Sequence, residues 1–161
     1  MHWGPNKITG DSSTFEGGTG DWVQIQPFDT FESSALQAHS GSRSLHLLDG
    51  PPVTPRARIQ LTGPSLISGK TYRASIYLRN AAGSLNLEFY DAGGVAAPPW
   101  INMIAPTWMF FATQLTCVTP GPCRIVLLNT YPPLATEQFV DDVSLWTRIS
   151  GTQYLPLVGI G

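Results

Sequence analysis

The chain has 161 residues and a mass of 17.5 kDa, enough for one domain that buries a core without staples. Charged residues are 12% of it, Gly numbers 16, Pro 14 and Lys just two, so helix formers are scarce and turn residues abundant, which excludes a helical bundle. A net charge of −2 and a pI near 5.8 exclude the footprint of a nucleic-acid or anionic-membrane binder, no run of 18 apolar residues predicts a membrane span, and no signal peptide is visible.

Taken in chain order, the first strand candidates are Lys7–Thr9, Trp22–Gln26 and Ser44–Leu48. Arg56 to Leu61 alternates polar and apolar residues, and so does Tyr72 to Arg79. Leu85, Leu87 and Phe89 share one face of the next strand, with Asn86, Glu88 and Tyr90 on the other. Phe111, Thr113 and Leu115 share a face in the strand before Cys117, and Arg124–Thr130 follows it. Phe139, Val143 and Leu145 line one side of the last strand, and Asp141 falls on that same side. Gly-rich and Pro-rich turns separate these runs, among them Gly17-Gly18, Asp49-Gly50-Pro51-Pro52, Ser68-Gly69, Ala82-Gly83 and Gly93-Gly94. Nine or ten short strands of this kind predict an all-β, two-sheet antiparallel β-sandwich.

Cys117 and Cys123 enclose five residues with a Pro-Gly-Pro reversal. This predicts a disulfide clamping the tip of a β-hairpin, and with it an oxidising, extracellular setting. The spacing, with no His nearby, is not that of a zinc site, and a redox-active pair is more often C-x-x-C. The tail from Thr147 to Gly161 is uncharged beyond Arg148 and apolar from Tyr154 onward. It is either a disordered end or linker stub, or a strand that pairs with another copy or a neighbouring domain, and Pro156 makes it a poor central strand.

Five segments carry a resemblance to a known family. They are Phe15-Glu16-Gly17-Gly18 with Gly20-Asp21-Trp22; Ala38-His39-Ser40-Gly41 with Ser44-Leu45; Ser68-Gly69-Lys70-Thr71-Tyr72 with Ser75 and Tyr77; Thr107-Trp108 with Phe111 and Thr113; and Phe139-Val140-Asp141-Asp142-Val143-Ser144-Leu145. In this order and spacing they resemble the carbohydrate-binding modules of the type 4/9/22 group, which have a galactose-binding-like jelly-roll fold. The resemblance spans Asn6 to Trp146, so the domain is expected over residues 1–146 with 147–161 as tail. Ser12, Ser13 and Thr14 stand as extra residues before Phe15-Glu16, and Tyr77 stands where the family usually has Trp. As structural positions of the family, Trp22 and Trp108 are expected in the core.

The family commonly holds a structural calcium ion. The resemblance implies Glu16, Asp141 and backbone oxygens around Ser40 to Ser42 as its ligands. Calcium takes six to eight hard oxygen ligands, and a carboxylate on the apolar side of a strand needs either a cation or a set of backbone N–H donors.

Strand parity assigns an outward set of Arg56, Arg58, Gln60, Ser75, Tyr77, Arg79, Asn86, Glu88, Tyr90, Leu127, Asn129 and Tyr131. Flat rings suit the C–H face of a pyranose, and planar polar groups suit vicinal hydroxyls. Arg forks suit carboxylates too, so acidic sugars come into question. Cross-strand pairing, such as Arg79 with Glu88, accounts for the same residues without a ligand. Trp100, in a loop after Pro98-Pro99, is an expected stacking platform. No nucleophile, metalloprotease or phosphate-loop motif is present, so the expectation is a non-catalytic, secreted module that binds polysaccharide or oligosaccharide. The rival reading is a structural or adhesive extracellular subunit that self-associates through its tail.

Overall fold

A computed structural model describes residues 2–49, 57–129 and 136–149, without the side chains of 81–84 and 136. Arg56, Tyr131 and the tail beyond Ile149 lie outside the described residues. The elements are β1 (His2–Trp3), α1 (Asp11–Thr14), β2 (Trp22–Gln26), β3 (Thr30–Ser34), β4 (Ser44–Asp49), β5 (Arg58–Leu66), β6 (Thr71–Tyr90), β7 (Trp100–Thr116), β8 (Gly121–Asn129) and β9 (Thr136–Ile149).

All pairings are antiparallel, in the order β2-β5-β8-β6-β9-β4-β3, with β7 on β6 and β1 on β9. The sheet curls into a jelly-roll sandwich because β6 runs through both layers. Its first half, to Asn80, pairs with β9, and its second half, from Leu85, pairs with β8. The Ala82-Gly83 pair marked by the sequence as a turn is therefore a continuous crossing from one layer into the other. β7 follows β6 along both halves, with Met103 opposite Leu85 and Thr116 opposite Thr71. Leu45, Leu47, Ile76, Leu78 and Val140 from one layer meet Ile59, Leu87, Phe89, Ile125 and Leu127 from the other in a single core. Each of these is fully buried, a burial worth roughly 1.5–3 kcal/mol per large side chain.

Several expectations change. β3, which the sequence reading missed, pairs with β4 through Thr30–Ser34. β9 runs to Ile149, three residues past the expected end of the domain, because Thr147 pairs with Tyr72 and Arg148 with Trp3. An irregularity in the β9–β6 register opposite Ser75–Tyr77, with Asp142 at φ 47°, shifts the parity of β9. Val140, Val143 and Leu145 point inward, whereas Phe139, opposite Arg79, lies outward against His46 with ring centroids 4.8 Å apart, and Asp141, opposite Tyr77, shares that outer face but is buried beneath the His39–Ser40 loop.

The cysteine hairpin is also corrected. β7 and β8 do not pair with each other: β7 lies on β6, and β8 on β5 and β6. Residues 117–120 therefore arch from one strand system to the other. Cys117 and Cys123 are buried free thiols. The Cys123 Sγ presses on β5, where a Cβ at Gly63 would sit 2.6 Å from it, and the Cys117 thiol donates to the Thr119 carbonyl at 3.3 Å. Burial pushes the Cys123 thiol up to about 12.

Candidate functional site

The outer face of the β6–β9 layer carries a cleft of about 640 Å³. Alternation on β6 places Arg73, Ser75 and Tyr77 on its floor, while Tyr72, Ala74, Ile76 and Leu78 go to the core. Neighbouring strands complete each row: Arg73 lies between Trp146 and Gln114, Ser75 between Ser144 and Ala112, and Tyr77 between Asp141 and Phe110.

One wall is built by the chain's start. The segment after β1 runs along β9, with the Gly4 N–H donating to the Thr147 carbonyl at 2.9 Å and the Lys7 N–H to the Leu145 carbonyl at 2.8 Å. Asn6 Oδ1 accepts the Leu145 N–H at 2.8 Å. This brings Trp3 and Asn6 to the cleft. The extra residues Ser12 to Thr14 form the single turn α1, which places Ser13 and Thr14 at the same wall. Ser13 Oγ is fastened to the Val143 carbonyl at 2.7 Å.

The opposite wall is His39. Its ring lies flat on Tyr77, with centroids 3.5 Å apart at 16°, and its Nδ1 is 2.6 Å from Asp142 Oδ2. Ser40 Oγ donates to the other Asp142 oxygen at 2.7 Å. The β9 irregularity thus leaves Asp141 tucked beneath the His39–Ser40 loop and turns Asp142 out into the cleft. Arg73 lies between two rings, its guanidinium carbon 4.9 Å from the Phe110 centroid and 5.7 Å from that of Trp3. Trp108, expected in the core, is half-buried and meets His39 edge-on at 5.7 Å; Trp22 is buried as expected.

The sequence-derived outward set divides between two surfaces. Tyr77 and Ser75 belong to the cleft. Arg79 is on the same layer but is held by the Gln37 side chain. Arg58, Gln60, Asn86, Glu88 and Tyr90 gather on the outer face of the other layer, where the Tyr90 hydroxyl donates to Glu88 at 2.7 Å. The Arg79–Glu88 pair is thereby excluded, since each has its own partner on a different layer. Arg124, absent from that set, lies 5.2 Å from the Tyr90 ring. Leu127 and Asn129 point inward, opposite the assigned parity: Leu127 pairs with Ile59 and Leu87, and Asn129 donates to Asp49 Oδ2 at 2.6 Å. Trp100 is 45% exposed, yet it opens β7 away from the cleft, with its Nε1 donating to the Ala112 carbonyl at 2.6 Å.

Sequence reading missed Trp3, Arg73, Phe110, Asp142 and the cleft role of His39. Arg73 shares the parity of Ser75 and Tyr77, so alternation could have found it. Nothing local in Trp3 signals that it lines the same cleft as Trp146, because that placement rests on the pairing of β1 with β9.

Glu16 and Asp141 grip one loop from both sides. Glu16 Oε1 accepts the Ser42 and Arg43 N–H groups at 2.9 and 3.1 Å, and Ser42 Oγ donates to Oε2 at 2.6 Å. These bonds hold the Glu16 carboxyl below its usual range. Asp141 Oδ2 accepts the His39 and Ser40 N–H groups at 2.9 and 3.0 Å. Burial raises its carboxyl despite these bonds. Gly41, at φ 60°, lets the loop close over Glu16, where a Cβ would collide with Oε1. The loop therefore offers amide hydrogens to both acids. Among the described residues no group of three or more His, Cys, Asp or Glu is arranged to hold a metal.

No family model matches the chain, and no curated protein matches it. Solved structures do. The CBM22-1 xylan-binding domain of Paenibacillus barcinonensis Xyn10C superposes with a TM-score of 0.62 at 16% identity, over 86% of this chain and 94% of that one. TmCBM61, solved with beta-1,4-galactotriose, gives 0.63 at 16% identity over 88% and 98%. The enzymatically active domain of tailspike protein 4 of bacteriophage CBA120 gives 0.66 at 16% identity, over 87% of this chain but 21% of that one. The chain has the fold of these carbohydrate-binding modules.

Proposed function

We propose that the chain binds polysaccharide or oligosaccharide, without catalysis, in the cleft of Trp3, Tyr77, Phe110 and Trp146. The observation that carries this is the cleft itself, of ligand size and walled by aromatic rings, on a fold shared with xylan-binding and galactotriose-bound modules. Rings offer stacking faces, and Arg73, Ser75, Asn6, Ser144 and Asp142 offer donors and acceptors at the floor and walls. Glycoside hydrolysis takes two facing carboxyl groups, and Asp142 is the single carboxylate among the described lining residues, already bonded to His39 and Ser40. A secreted setting is part of this proposal, in keeping with a polysaccharide ligand.

The test is a titration of xylans, glucans, galactans and uronic-acid polymers, followed by tryptophan fluorescence and gel retardation. Binding with a fluorescence change that Trp146→Ala abolishes is the expected result. No retardation by any polymer overturns the reading. The rival, self-association through the tail, concerns residues outside the described ones, and particle size with and without residues 150–161 decides it.

A further inference from the structure

We infer that the cleft selects saccharides bearing a carboxylate, with Arg73 as the residue that reads it. This rests on the proposal that the cleft binds sugar, and it adds the charge class of the ligand.

Arg73 is a half-buried cation in the cleft, and no described acid is paired with it. Its neighbours across the strands are Trp146 and Gln114, and among the described residues no carboxylate lies within 4.0 Å of it. The cleft's one described acid, Asp142, is occupied by the His39 ring at 2.6 Å and the Ser40 hydroxyl at 2.7 Å. That carboxylate is therefore matched by donors of its own, whereas the guanidinium has aromatic contacts but no anion among the described residues. The rings of Phe110 and Trp3 hold the guanidinium within the aromatic wall and favour its charge away from bulk water. A guanidinium held in this way keeps its planar fork of N–H donors, which matches the two oxygens of a carboxylate. A neutral sugar satisfies such a fork less completely, since hydroxyls are weaker acceptors than an ionised group. Tyr77 and Trp146 supply stacking faces in the same cleft, so one ligand ring can stack while a carboxyl on it, or on its neighbour, meets Arg73.

The experiment uses one uronic-acid polysaccharide and its carboxyl-reduced counterpart, so that the sugar backbone stays constant and only the charge is removed. The intact chain and its R73Q and R73K variants are titrated with both, at low and high salt, after circular dichroism confirms the fold. The intact chain is expected to bind the carboxylated polymer at least tenfold tighter than the reduced one, with the preference shrinking at high salt. R73Q is expected to bring that ratio close to one. R73K, which keeps the charge but not the fork, is expected to fall between. Equal affinity of the intact chain for both polymers overturns the inference while leaving sugar binding in place. An unchanged ratio in R73Q overturns it as well. A sulfated polymer that binds as tightly as the carboxylated one, with the same dependence on Arg73, overturns the choice of carboxylate. Failure of every polymer, neutral ones included, overturns this inference together with the proposal beneath it.

Discussion

His39 and Tyr77 are stacked rings, 3.5 Å between centroids and 16° from parallel, joined across a loop and a strand. The imidazole is anchored from behind by Asp142, so one face of Tyr77 is already covered and the ring is held in place. The platform comes preassembled, which limits the side-chain entropy lost when a ligand arrives. A double-mutant cycle of His39→Ala and Tyr77→Ala is expected to show a coupling of about 1 kcal/mol in denaturant-unfolding stability, the scale of an aromatic pair. Additive single effects would show that the stack contributes nothing.

The two outer faces separate cleanly by mutation. Tyr77→Ala and Trp146→Ala are expected to weaken binding to a retained polysaccharide at least tenfold in gel retardation. Tyr90→Ala and Trp100→Ala are expected to change it less than twofold, because Tyr90 is on the other layer and Trp100 opens β7 outside the cleft. Loss of binding in Tyr90→Ala would move the site to the face of Arg58, Glu88 and Arg124.

Asp91 is a buried acid that accepts four backbone N–H groups. Gly93 and Val95 donate to Oδ1 at 3.0 and 2.9 Å, and Val118 and Thr119 donate to Oδ2 at 3.0 and 2.9 Å. Burial pushes its carboxyl up, but the amides outweigh that and hold it below 3.8. Its contribution to stability is therefore present above the unfolded value and is lost as pH falls through the folded one. Asp91→Ala leaves those amides unpaired and is expected to cost on the order of 3 kcal/mol, measured by urea unfolding at pH 7. The difference between variant and parent should narrow as the pH is taken below about 4.

Asp141 works with the opposite sign. Burial comes first among the influences on it and raises its carboxyl above 3.8. A raised carboxyl makes the folded chain hold its proton longer than the unfolded one, so the Asp141 contribution falls as pH rises between the two values. The amide donors of His39 and Ser40 already saturate one of its oxygens, and that of Asp142 reaches the other. With the loop held by amides, a chelator is expected to leave the melting temperature unchanged. A drop of several degrees on chelation, reversed by added calcium, would identify a cation between Glu16 and Asp141.

The thiols offer a direct chemical check. Cys117 and Cys123 are buried and free. A thiol reagent is expected to titrate two groups per chain in denaturant without any reductant, and close to none in the native protein. Two unreactive cysteines in denaturant that become reactive after reduction would establish a bridge instead.

Local pattern and composition determined a good deal by themselves. Scarce charge and abundant Gly and Pro meant short strands. Period-two alternation set the inner face of β6, where Tyr72, Ala74, Ile76 and Leu78 are all buried. It set it correctly because a strand's side chains alternate by covalent geometry, whatever surrounds them. The five family-like segments specified the jelly roll, since each sits where a turn or strand of that fold needs it.

The site was decided by tertiary structure, for three physical reasons. Parity names a face but not the layer to which it belongs, so Tyr77 and Tyr90 looked alike until β6 was seen to cross between layers. One irregularity inverts every residue on one side of it, which is why Phe139 and Val140 lie on faces opposite to those that the parity of Val143 and Leu145 assigns them. Long-range pairing leaves no trace in local sequence: β1 against β9 is what brings Trp3 into the cleft of Trp146, and the pairing of β7 with β6 and of β8 with β5 and β6 is what turned an expected hairpin into an arch between strand systems.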